Sequence, residues 1–215
     1  MLAQLEALMA AKLNPDGWLD LPLYHAVFVD HIISDIKFCL ENKRMAAGAQ
    51  LLMSAIDIAS GIERPREKLD TDREDFIAWA DRYLTLSGPE YTLRGVDLYA
   101  ARCGLLHGYT AQAKLIRQGK AVMLGWLDDM LPPVRANEDQ SLVLASLAAL
   151  FVAFNHGLAD SVGRINRSEE LALVVNERLA FMFQASDLDS DLKISMGQAA
   201  EKWRESLKTK EAVAQ

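Results

Sequence analysis

The sequence predicts a mostly helical domain, and three observations carry that prediction. Alanine, leucine, methionine and glutamate, all strong helix formers, dominate the chain. Only 12 Gly and 6 Pro punctuate its 215 residues, few for a sandwich or barrel that must turn every ten residues or so. Apolar residues recur at three- and four-residue spacing through several long stretches. Half of the residues are hydrophobic (51%) and a quarter are charged (25%), a balance that excludes wholesale disorder. The length suits one good-sized domain.

The elements follow in order. Residues 1–15 read as a short helical arm, ended by the turn signal Asn14-Pro15-Asp16-Gly17. From Leu21, the residues Val29, Ile32, Ile33, Ile36 and Leu40 fall on one helical face. A second helix carries Ala46, Ala49, Met53, Ile56 and Ser60, with Gly61 as its C-terminal stop, and the two form an antiparallel hairpin. A charged loop, Ile62–Asp70, leads into Thr71-Asp72-Arg73-Glu74, the pattern of a capping box with Thr71 as the cap. The helix behind it turns Phe76, Trp79, Ala80 and Tyr83 inward and ends near Leu84–Gly88. Val96–His107 is the next helix, with Gly108 directly after it. Ala121–Trp126 fits either a short strand or a turn of helix. Beyond Asn137–Ser141, an N-cap region, the apolar run Leu142–Phe154 reads as a buried core helix, shorter than the roughly 18–20 residues of a membrane span. Glu169–Phe183, with Leu171, Val174, Val175, Leu179 and Met182, is the last well-patterned helix. The organisation expected is an arm over residues 1–18, a helical domain over 19–186 and a partly flexible helical tail over 187–215.

The net charge of −7 and a pI near 5.1 argue against broad, salt-driven binding to nucleic acid or to an anionic membrane. One stretch departs from this. Between Tyr91 and Trp126, the cations Arg94, Arg102, Lys114, Arg117 and Lys120 face a single acid, Asp97, and form an island of +4 where a polyanion can dock. Tyr91, Tyr99 and Tyr109 in the same stretch offer rings for stacking on bases. Cys39 and Cys103 fit neither a disulfide framework nor a zinc cluster, so a reducing, cytoplasmic setting is expected. Leu2–Leu13 has no basic segment before it and is interrupted by Glu6, unlike a signal peptide. P-loop, G-x-G-x-x-G and G-x-S-x-G patterns are absent. His31 with Asp35, and His156 with Asp160, each stand four residues apart, a spacing that orients a histidine on its own helix. Without a Glu-x-x-His or a di-iron carboxylate set, neither a metal nor a cofactor is expected.

The segment Tyr99-Ala-Ala-Arg102-Cys-Gly-Leu-Leu-His107-Gly-Tyr109 sets an arginine and a histidine at R-x4-H spacing near a helix end. In this it resembles the HEPN superfamily, and Val96-Asp97-Leu98-Tyr99 with the Gly-Leu-Leu-His core looks like its bacterial members. The likeness covers roughly residues 20–185. It implies an all-α bundle of four to five main helices, here with a short β-hairpin or strand near 120–135 as an addition. It also implies a homodimer whose motifs face each other across the two-fold axis. Many members are metal-independent endoribonucleases, including defence and toxin proteins held by an antitoxin-type partner. On this chain the resemblance makes Arg102 and His107 the catalytic pair. His107 would move the proton of a ribose 2′-OH, a task suited to a group that titrates near neutrality. Arg102 would hold the scissile phosphate with its fork of donors. Arg94, Tyr99, Tyr109, Lys114, Arg117 and Lys120 would bind the RNA.

Two features qualify the pattern. Cys103 follows the motif arginine, where active members commonly carry Asn, Asp or His. This favours the alternative, a non-catalytic helical module that binds a nucleotide or a protein partner in the same groove. A separation of five residues also turns two side chains roughly 140° apart on a straight helix. Convergence then needs either His107 at a C-cap before Gly108 or a second chain that supplies the missing group. Asp57, on the second helix, is a conceivable partner that fixes Arg102, although a solvent-facing Asp57 is the expectation.

Overall fold

The computed structural model describes residues 18–108, 113–137 and 141–182. The arm before residue 18, the tail over 187–215 and Tyr109 lie outside the described residues.

Asp20 caps α1 (Leu21–His25), its carboxylate accepting the Leu23 amide at 3.0 Å, with Pro22 in the first turn where a missing N–H costs nothing. The winding then widens to a π-helix over Ala26–Ile33 and returns to α2 (Ser34–Glu41). Wider winding lets Val27, Phe28 and Val29, three neighbours in sequence, all be buried along with Tyr24. It also sets His25 against Asp30, five residues on, at 3.4 Å. The long first helix of the sequence reading is therefore present but not uniformly α.

A tight turn with Lys43 in the left-handed region (φ 56°) leads into α3 (Met45–Glu63). By length and composition α3 could cross a membrane; here it is a core helix, with Ala49, Leu52, Met53, Ile56 and Ala59 buried. Gly61 does not stop it. A Cβ at Gly61 would meet Thr71 Oγ1 at 2.8 Å, so the glycine admits the following loop at close range. Two arginines close the helix instead. Arg64 donates to the carbonyls of Gly61, Lys68 and Leu69 at 2.5, 2.9 and 2.6 Å. Arg178 donates to those of Ile62, Arg64 and Pro65 at 3.0, 2.5 and 2.9 Å. Carbonyls left over at a helix C-terminus are the natural partners of such cations. Burial, with Arg64 and Arg66 close by, pulls the Arg178 pKa below its usual value.

The capping box exists, one residue later than predicted: Asp72 accepts the Asp75 amide at 3.1 Å and Asp75 accepts the Asp72 amide at 3.0 Å. It opens α4 (Arg73–Tyr83), which buries Phe76, Trp79 and Ala80 as expected. Next come α5 (Gly95–Gly108) and the short α6 (Lys114–Arg117).

Three strands follow: β1 (Met123–Leu127), β2 (Val134–Arg135) and β3 (Leu142–Ser146). β3 is central, parallel to β1 with Met123 opposite Leu142, and antiparallel to β2 with Val134 opposite Leu144. The strand alternative near 120–135 thus holds. The expected core helix from Leu142 is corrected: its first residues are β3, and α7 (Leu147–Ile165) begins only after Ser146, which accepts the Ala149 amide at 3.0 Å. A short apolar run in a largely buried strand has no periodicity that separates it from a buried helix. Ser168 caps α8 (Glu169–Leu179), which stops short of the expected Phe183. The fold is predominantly helical with a small three-stranded sheet, and one main core takes side chains from α1–α5, α7, α8 and the sheet.

Candidate functional site

α5 carries the R-x4-H motif, and its start is fixed by a buried acid. Asp97, fully buried, accepts the Tyr91 hydroxyl at 2.7 Å, the Arg94 guanidinium at 2.8 and 3.0 Å, and the amides of Arg94 and Val122 at 3.1 Å each. This occupies two of the side chains predicted to touch substrate. Arg94 is spent on Asp97, which raises its pKa further. Tyr91 is packed under Arg135, whose guanidinium lies 4.6 Å from the ring centroid. Burial and the bond to Asp97 push the Tyr91 phenol up to about 12.

Helical geometry then sorts the rest of α5 into two adjoining stripes: Tyr99, Cys103 and His107 on one, Leu98, Arg102 and Leu105 on the other. Arg102 points at α3, where its Nη2 donates to Asp57 Oδ2 at 2.7 Å. Its side chain is 18% exposed, its guanidinium carbon lies 5.8 Å from the Tyr99 ring centroid, and its buried Nε has no partner among the described residues. Asp57 therefore does not face solvent as a bystander; it anchors the motif arginine within the same chain. His107 is exposed in the last turn of α5, which runs on through Gly108, so His107 is a helical residue and not a C-cap. Arg102 and His107 occupy different stripes, and neither lines the cavity that opens beside α5.

That cavity is a groove of about 570 Å³ between the start of α4, the middle of α5 and α6. Arg73, Tyr99, Cys103, Lys114, Gln118 and Lys120 are among the side chains that line it. Burial, then the neighbouring Cys103 thiol, pushes the Tyr99 phenol above its usual pKa. Lys114 and Lys120 are exposed, and among the described residues their ammonium groups make no ion pair or hydrogen bond. Arg73 bonds its neighbour Glu74 at 2.6 Å. Of the predicted substrate residues, then, Tyr99, Lys114 and Lys120 gather around one opening. Arg94 is withdrawn, Arg117 sits on α6 outside the lining, and Tyr109 lies outside the described residues. Arg73 and Gln118 were not singled out from sequence, although the capping-box pattern already put Arg73 at a helix start.

A second cluster had no sequence signal, because Glu63 reads as part of a charged loop edge. Its carboxylate is 5% exposed. It accepts Trp79 Nε1 and Ser161 Oγ at 2.6 Å each, Tyr83 Oη at 3.1 Å, and Arg164 Nη1. Burial and the nearby Glu63 raise the Tyr83 phenol. Among the described residues no group of three His, Cys, Asp or Glu is arranged to hold a metal ion. No family model, no curated protein and no solved structure matches this chain.

Proposed function

We propose that the groove beside α5 binds RNA or a nucleotide, within a HEPN-like helical bundle. The carrying observation is the meeting of the Tyr99 ring with two uncommitted ammonium groups, Lys114 and Lys120, at an opening of about 570 Å³. That volume lies in the range of small-molecule sites, about 300–1,000 Å³. An aromatic edge with flanking cations is the chemistry that takes a base and its phosphate together. The packing of α3 on α5, tied by Asp57 and Arg102, supports the HEPN-like part.

The test is a titration of labelled single-stranded RNA and of a free nucleotide at several salt concentrations. Loss of two phosphate contacts in Lys114→Ala/Lys120→Ala lowers the slope of log affinity against log salt by about 1.4. Tyr99→Ala weakens binding without changing that slope. Equal affinities and slopes in all three proteins would remove the proposal.

RNA cleavage by Arg102 and His107 is a second reading, favoured by one observation. The R-x4-H motif stands on one helix, with His107 exposed and Arg102, 18% exposed, oriented by Asp57. Catalysis would then need a homodimer in which one chain's His107 meets the other's Arg102. A toxin-type role with an antitoxin-type partner belongs to this reading alone. Incubation with RNA in EDTA decides it: cleavage lost in both Arg102→Ala and His107→Ala supports it, and cleavage absent or unchanged in the variants ends it.

A further inference from the structure

A smaller cavity of about 230 Å³ lies away from the groove, where the end of α3 meets α4 and α7. Its lining includes Arg64, Asp75, Trp79, Arg82, Tyr83 and Arg164, with Glu63 behind them. The two openings use different parts of α4. Asp75, Ala78, Trp79 and Arg82 form one stripe towards the cavity, whereas the groove touches α4 only in its first turn.

The charges at this cavity do not balance. Glu63 is the deepest acid, and its oxygens are already filled by Trp79, Ser161, Tyr83 and Arg164. Asp75 is occupied by the Lys68 ammonium at 2.8 Å and by the Asp72 amide. Lys68 also bonds Asp72 at 2.7 Å, so one ammonium serves two carboxylates there, but Arg64, Arg82 and Arg164 outnumber Glu63 and Asp75 at the opening itself. Arg82 makes no ion pair or hydrogen bond among the described residues; its guanidinium carbon lies 6.0 Å from the Tyr83 ring centroid. Arg164 turns one nitrogen to Glu63, and its side chain is still 42% exposed, which leaves donors of its planar fork at the mouth. An uncommitted guanidinium and a half-committed one thus flank an opening with an indole and a phenol for walls.

We infer that this cavity is an anion site, with Arg82 and the outer donors of Arg164 closing on a small oxyanion of the phosphate class. Guanidinium forks match such oxygens two at a time. The volume falls below that of sites for drug-sized ligands, which limits the occupant to a phosphate on a compact group. The inference does not rest on the groove, since no residue lines both.

Trp79 supplies the probe, because its indole N–H donates to Glu63 at the back of the cavity. The full chain is titrated with inorganic phosphate and followed by the Trp79 indole N–H resonance, against chloride at matched ionic strength. The expected result is a saturable shift specific to phosphate. Arg82→Gln, a change at an exposed side chain, weakens it about tenfold or more, and Arg82→Lys weakens it less. Lys114→Ala/Lys120→Ala leaves it unchanged, so failure of RNA binding at the groove and failure here are told apart. No saturable shift, or the same midpoint in Arg82→Gln as in the parent, would overturn the assignment.

Discussion

Replacing Glu63 with alanine removes the acceptor that three helices share. Trp79 and Ser161, 4% and 1% exposed, would each keep a buried donor with nothing to receive it. An orphaned buried donor costs about 1–3 kcal/mol, so the two together cost about 4 kcal/mol. Arg164 adds little, because a side chain 42% exposed can turn its charge to water. In a chain of this size that loss lowers Tm by about 8–16 °C. Glu63→Gln separates the two contributions: a carboxamide oxygen still receives Trp79 and Ser161, while the half-exposed ion pair and the Tyr83 bond on the other oxygen change, at about 1–2 kcal/mol. Urea unfolding at fixed pH, followed by far-UV circular dichroism, gives both values. Equal losses in the two variants, or a loss below about 0.5 kcal/mol in Glu63→Ala, would refute the view that buried donors set the cost.

Other perturbations bear on α5. Asp57→Ala leaves Arg102 with no charged partner among the described residues and is expected to cost about 1–3 kcal/mol by urea unfolding; an unchanged midpoint would mean the pair contributes nothing. Gly95→Ala sets a Cβ 2.5 Å from the Ile77 carbonyl oxygen, so the start of α5 must shift against α4 backbone, at about 1–3 kcal/mol; full stability would contradict that contact. Tyr91, at about 12, holds its proton more tightly folded than unfolded, where phenols ionise near 10. Its contribution is therefore whole below pH about 10 and declines as pH rises towards about 12. Tyr91→Phe should flatten that decline and remove one late phenolate from an absorbance titration, and a Tyr91 that ionises near 10 would oppose this.

The helices were legible where a chemical signal sits within a few residues. The inward face of α4 and the start of α8 follow from spacing alone, since burial repeats every three to four residues; the end of α8 does not, for the helix stops at Leu179. Boundaries failed where distant contacts decide them. Gly61 looks like a stop, but whether α3 ends there depends on Arg178, more than a hundred residues away, and on Thr71 pressed against the glycine. Leu142–Ser146 looks like helix because its pairing with Met123–Leu127 leaves no local mark. At the candidate site, the basic island was visible as composition, and four of its five cations are exposed, although Arg94 is paired with Asp97. Sequence could not show that Asp97 claims Arg94, or that Asp57 reaches Arg102 across two helices, because both partners are single acids with no motif around them.

The arginine closure at the end of α3 has a consequence for biosynthesis. Arg178 lies near the far end of the described chain, and Asn176 beside it binds the Trp18 carbonyl at 2.9 Å and the Asp20 amide at 2.8 Å. While the ribosome is still translating, the first helices can associate, but their free carbonyls and leading edge stay wet until α8 emerges. Completion should then come in one step that waits for α8, because this helix seals what the first ones left open.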